Sequence, residues 1–197
     1  NEDGTMARKK ALLDFSRKHN LKIGTIADLI NYRILNEKTV DKIDQKSVKT
    51  EYGKFNLILY KDLIFDETHL VLQKGKISKN SPTLVRVQQS NFFHDLLKID
   101  EFGARWSVSD SMKKINEAGK GIILLIDGEN QKQDEFNEIK SFKKKRIAAP
   151  NNDPRRIGIG SQILRDLGVK KIKLMGSEVR YPSLSGFDLE VTEYLKK

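Results

Sequence analysis

Asp153 and Arg155, two positions apart in NDPRRIGIG, set a carboxylate beside a guanidinium. A guanidinium is almost always charged, and Asp153 is a carboxylate near enough in sequence to orient it. The plainer alternative is that Asp153-Pro154 opens a loop and Arg155 forms a surface ion pair ahead of a helix starting near Gly158. Other reactive residue types are sparse. The chain has no cysteine, which removes thiolate nucleophiles, disulfides and cysteine-rich zinc sites. His94 stands beside Asp95, but one imidazole with one carboxylate makes no metal site, and His19 and His69 are isolated. All three read as surface or interface histidines.

The formal charge of +10, from 37 Lys and Arg against 27 Asp and Glu, points to an attraction for phosphate as nucleotide, nucleic acid or anionic surface. The densest basic run, KSFKKKRI over residues 140–147, carries one aromatic and no recognisable nucleic-acid module, so it reads as a solvated helix face. Nucleic-acid binding is therefore the minor alternative. No apolar run approaches the roughly 20 residues that cross a bilayer, and NEDGTMARKK lacks the apolar stretch of a secretory signal. The expectation is a cytoplasmic protein with no membrane partner.

The elements that must position these residues follow from periodicity. The chain has 197 residues, of which 38% are hydrophobic, enough for one full domain and a short appendage. Residues 6–18 suit an amphipathic helix, and Thr25 can cap a second one with Asp28 in its first turn. The polar stretch EKTVDKIDQKSVKTEYG reads as a connector, with a boundary near residue 45. KFNLILYKDLIF and THLVLQKGKI predict a hairpin, and TLVRVQQS a third strand. SVSDSMKKINEA predicts a helix ended by Gly119. GIILLID and KKIKLM predict buried strands, since apolar runs suit strands covered on both faces. Residues 134–146 and GIGSQILRDLG predict helices, and FDLEVTEYL predicts a final strand.

Several of these segments resemble known proteins. NEDGTMAR and KHNLKIGTIADLI, with their spacing, look like the end of 3,4-dihydroxy-2-butanone-4-phosphate synthase, a riboflavin-pathway lyase. TEYGKFNLILYKD, GKGIILLI, GIGSQILRDLGVKKIKLM and GFDLEV look like successive landmarks of GTP cyclohydrolase II. The two domains occur in this order in bifunctional riboflavin-biosynthesis proteins. The resemblance implies residues 1–45 as synthase tail plus linker, with most of the synthase missing. It implies residues 46–197 as a cyclohydrolase-like α/β domain with a mixed sheet and covering helices.

That family opens the imidazole ring of GTP with a zinc held by three cysteines. Counting without gaps, those positions are Asn91, Phe102 and Ala104 here. Phe102 and Ala104 have no ligand atoms on their side chains, and Asn91 offers a weak neutral oxygen. The family's RQEGRGIG becomes DGENQKQD, which keeps Glu129 but loses an arginine and glycines that let backbone approach phosphate. Its threonine and lysine near the end become Gly176 and Tyr181. Asp153 matches its proton acceptor and Arg155 its nucleophilic arginine, while Arg86 keeps a substrate-contacting position.

The expectation is a zinc-free, non-catalytic domain that supports structure, oligomerisation or regulation of a synthase. No cofactor is expected in this chain, and a divalent metal would belong to the missing synthase domain. The synthase domain of the same polypeptide is the implied partner, with a homodimer and a nucleotide or flavin ligand left open. The alternatives are a metal-independent enzyme acting through Asp153, Arg155 and Glu129, and a nucleotide- or flavin-binding module.

Overall fold

The computed structural model describes residues 4–25, 28–29, 32–33, 36–99, 105–127, 154–179 and 182–197. It divides into two compact units, Asn1–Asn36 and Glu37–Lys197.

In the first unit, helix α1 spans Lys9–Lys18, and it buries no residue. Its last turn is closed by the Phe15 ring packing on His19, with centroids 4.3 Å apart. The expected cap at Thr25 is present as a reciprocal pair. Thr25 Oγ1 accepts from the Asp28 N–H at 3.0 Å and donates to Asp28 Oδ2 at 2.7 Å, so each residue satisfies the other at a helix start.

The second unit is built on a seven-stranded sheet in the order β1-β2-β3-β5-β4-β6-β7. Strands β1 (Val40–Thr50), β2 (Gly53–Asp62) and β3 (Thr68–Lys74) form an antiparallel meander that joins β5 (Gly121–Leu125). From β5 onward the pairing is parallel, through β4 (Thr83–Gln88) and β6 (Lys171–Met175) to β7 (Glu190–Leu195). Strand β1 corrects the expected connector. Most of its side chains are exposed, so it carries no clear hydrophobic alternation to read, and its ladder with β2 is what orders it. The unit consequently begins ahead of residue 45, at Glu37.

Both faces of the central strands are covered. Helix α2 (Val108–Ala118) lies on one face, where Met112 and Ile115 pack with Phe55, Leu84, Ile123 and Met175. Ser107 caps it by accepting from the Asp110 N–H at 3.1 Å, and Gly119 ends it at φ 70°, a left-handed conformation that glycine adopts without steric cost. Close approach of α2 is permitted by Gly121, where a Cβ would lie 2.7 Å from Ile115 Cγ1 and 2.8 Å from the Leu84 carbonyl.

Helix α3 (Pro154–Asp166) packs on the other face, with Ile159, Ile163 and Leu164 buried. It starts four residues before the expected Gly158, because proline fits a first helical position where its missing N–H costs nothing. Gly160 brings it within van der Waals reach of Leu124 and Ile126. Tyr60, fully buried in β2, donates to Asp166 Oδ2 at 2.6 Å, and burial together with that carboxylate keeps its phenol protonated. Gln162 accepts from the Thr39 N–H at 2.9 Å and donates to the Glu37 carbonyl at 3.1 Å, fixing where the chain enters β1. The helix expected over residues 134–146 lies outside the described residues. Among the described residues, no helix is long and apolar enough to cross a membrane.

Candidate functional site

Parallel strands β4, β5 and β6 end together, and the crevice beyond such carboxyl ends is where open α/β sheets place their ligands. Arg86 lies in β4 near this end. Its Nε donates to Gln88 Oε1 at 2.7 Å, Nη1 to the Met175 carbonyl at 2.8 Å and Nη2 to the Trp106 carbonyl at 3.1 Å. Arg86, expected from the resemblance to contact substrate, is a brace across β4, β6 and the entrance to α2. A Cβ at Gly176 would stand 3.3 Å from Arg86 Nη1, so the glycine that replaces the family's threonine leaves room for the brace.

The brace continues into the segment after β4. Gln88 Nε2 donates to Asp95 Oδ2 at 3.1 Å, and the same oxygen accepts from the Asn91 N–H at 2.9 Å. Asp95 Oδ1 accepts from the Val108 N–H at 2.9 Å. Asn91 Oδ1 accepts from the His94 N–H at 2.9 Å, and a short π-helical turn, Phe92–Leu96, presents Asp95 to these donors. His94 Nδ1 lies 3.5 Å from Asp95 Oδ1, with both side chains about 15% exposed.

Arg155, near the start of α3, enters a different cluster. Its Nη2 pairs with Glu67 Oε2 and lies 3.7 Å from Asp62 Oδ2, while its guanidinium carbon sits 3.4 Å from the Phe65 ring centroid. Asp62 is buried, and its Oδ1 accepts from the Ile64 and Phe65 N–H groups, which closes the β2–β3 turn around the arginine. His69 is fully buried beside them and accepts at Nδ1 from the Asp127 N–H at 3.3 Å. Burial pushes its imidazole below the ordinary value of 6.5, against the opposing pull of the Asp62 and Glu67 carboxylates.

Among the described residues, Asp62, Glu67 and His69 bring ligand-type atoms within 4.8 Å of one another. Arg155 already supplies positive charge to both carboxylates there. The expectation of a surface or interface histidine at position 69 is corrected by its full burial, and this cluster was not foreseen from the sequence. The signal was in the phase of β3: His69 alternates with buried Val71, whereas Leu70 between them is exposed.

Arg86 and Arg155 are therefore in separate networks. Asp153 and Glu129 lie outside the described residues, as do Phe102, Ala104 and Tyr181. The donor set does not fit the zinc that the resemblance implies. In that resemblance the ion is held by three thiolates, whereas the chain has no cysteine and the Asn91 side-chain oxygen is engaged by the His94 N–H.

A mixed sheet of this order with α2 and α3 on its two faces matches a known family. The GTP cyclohydrolase II family model covers residues 41–196, and the chain belongs to that family. Its relatives include 3,4-dihydroxy-2-butanone 4-phosphate synthases and riboflavin biosynthesis proteins. It is 43% identical over 99% of its length to a 3,4-dihydroxy-2-butanone 4-phosphate synthase of Pseudomonas aeruginosa, of which it covers 54%. It is 37% identical over 98% of its length to the riboflavin biosynthesis protein RibBA of Aquifex aeolicus, covering 50% of that protein. Among solved structures it is similar to RibBX, a two domain 3,4-dihydroxy-2-butanone 4-phosphate synthase from A. baumannii. That match has TM-score 0.63 and 41% identity, and covers 100% of this chain and 52% of the other. The chain spans about half the length of the curated relatives it matches.

Proposed function

We propose that this chain is a zinc-free, non-catalytic GTP cyclohydrolase II-like domain appended to a 3,4-dihydroxy-2-butanone 4-phosphate synthase. Its role there is structural, oligomerising or regulatory. The carrying observation is the use made of the family's site positions. Arg86 braces three segments, Asn91 caps a turn, and Arg155 is held between Glu67 and Asp62 over Phe65. A nucleophilic arginine has to reach its substrate, and one gripped by two carboxylates and an aromatic ring is held instead in a structural ion pair. Residues 1–36 serve, in this reading, as the end of the synthase domain, which makes the synthase of the same polypeptide the first partner.

The test is direct. Purified protein with added zinc and GTP should release neither formate nor pyrophosphate, and elemental analysis should find no stoichiometric zinc. Turnover of GTP would overturn the proposal and make Arg155 and Asp153 the first residues to substitute.

A further inference from the structure

The three positions aligned with zinc ligands, 91, 102 and 104, fall between the end of β4 and the start of α2. A metal bound there acts as a cross-link, drawing the start of that segment to its end. The same connection exists in this chain by another route. Among the described residues of the segment, Asp95 is the carboxylate that gathers donors from both sides: the Gln88 amide at the end of β4, the Asn91 N–H just after it, and the Val108 N–H that opens α2.

We propose that the Asp95 carboxylate replaces the metal as the cross-link of this segment, so that the end of β4 and the start of α2 are held together without any ion.

Three features support the assignment. Val108 is the first residue of α2, so its N–H has no acceptor within the helix, and a negative charge at that end also meets the favourable pole of the helix dipole. Asp95 is about 15% exposed, which shields its hydrogen bonds from competition with water. Gln88, which contacts Asp95, is itself held by Arg86 Nε, and Arg86 reaches the carbonyls of Met175 and Trp106. The carboxylate is therefore bonded directly to the end of β4 and the start of α2, and through Gln88 and Arg86 it is tied to β6 as well.

The proposal rests on the zinc-free reading above, but its test is separate from the GTP assay. Dialysis against EDTA and 1,10-phenanthroline should leave the melting temperature unchanged. A chelator-induced fall would overturn the proposal, whatever the outcome with GTP. In Asp95→Ala, amide exchange followed by NMR should accelerate at least about tenfold at Asn91 and Val108, with strand β5 keeping its protection. Unchanged exchange at both amides would overturn it. Should Asp95→Ala fail to fold, Asp95→Asn supplies the reading. It keeps one acceptor oxygen, so at least one of the two amides should lose protection, and wild-type protection at both would overturn the proposal. Asp188→Ala, which removes an exposed carboxylate paired to Lys170, is the control and should change neither amide.

Discussion

Arg155 and His69 show how far a residue's meaning depends on its neighbours. In sequence Arg155 belongs to a motif that reads as catalytic; in the fold it neutralises Glu67 and the buried Asp62. Removing one partner of a buried pair leaves the other charge uncompensated, at a cost of about 3–5 kcal/mol for full burial. The Arg155 side chain is 30% exposed, so water offsets part of that cost. Arg155→Ala should therefore destabilise the domain by about 2–3 kcal/mol, lowering the melting temperature by roughly 5–10 °C. Arg155→Lys should recover only part of this, since it keeps the charge but not the planar stack on Phe65. A melting temperature unchanged by Arg155→Ala would show that the pair does not stabilise the fold.

His69 gives a prediction of definite sign. Its folded pKa is depressed, chiefly by burial, so the unfolded chain binds the proton first as pH falls. Its contribution is then fully present above the unfolded value of 6.5 and is lost as pH falls from there toward the folded value. Urea titrations across that window should show stability falling by up to about 1.4 kcal/mol per pH unit, and His69→Gln should flatten the slope. A wild-type slope retained in that variant would assign the effect to other groups.

At the scale of elements, the sequence was legible wherever a strand or helix has a face to bury. The β2–β3 hairpin, β4, α2 with its Ser107 and Gly119 ends, and β5 to β7 all carry alternation, apolar runs or capping residues. Strand β1 shows little of this, because it lies at the edge of the sheet with most of its side chains exposed, and its polar residues imitate a linker. That difference moves the start of the unit. A chain beginning at Glu37 keeps the Thr39–Gln162 contacts and buried Val40, whereas one beginning at residue 46 loses them together with half of β1. The first truncation should keep the circular dichroism spectrum and melting temperature of residues 37–197 within the longer chain. The second should melt at least about 5 °C lower. Equal melting temperatures would mean that β1 adds nothing to the sheet.

At the scale of the whole molecule, the candidate site was less legible than the fold, for a physical reason. Missing cysteines could be counted, but what replaced them is a network joining Arg86, Gln88, Asp95 and the Val108 N–H, across positions 22 residues apart (108 − 86). No local pattern announces such a network, since each member is an ordinary polar residue whose partner is chosen by the fold. The apolar framework was legible by contrast: Leu84, Ile115, Ile123 and Met175 on one face, Leu124, Ile159 and Ile163 on the other, lie in runs whose periodicity the sequence displays.

The parallel heart of the sheet also sets a timetable. Thr83 in β4 pairs with Ile172 in β6, so the two are 89 residues apart (172 − 83). On a ribosome adding about 5–20 residues per second, β4 waits roughly 4–18 s after its own synthesis before that neighbour has been made. β5 arrives sooner and can cover one edge of β4, but the other edge stays open until β6 emerges. The growing chain thus carries an apolar strand with one open edge for seconds, and through that edge it is exposed to chaperones and to misassembly with other nascent chains.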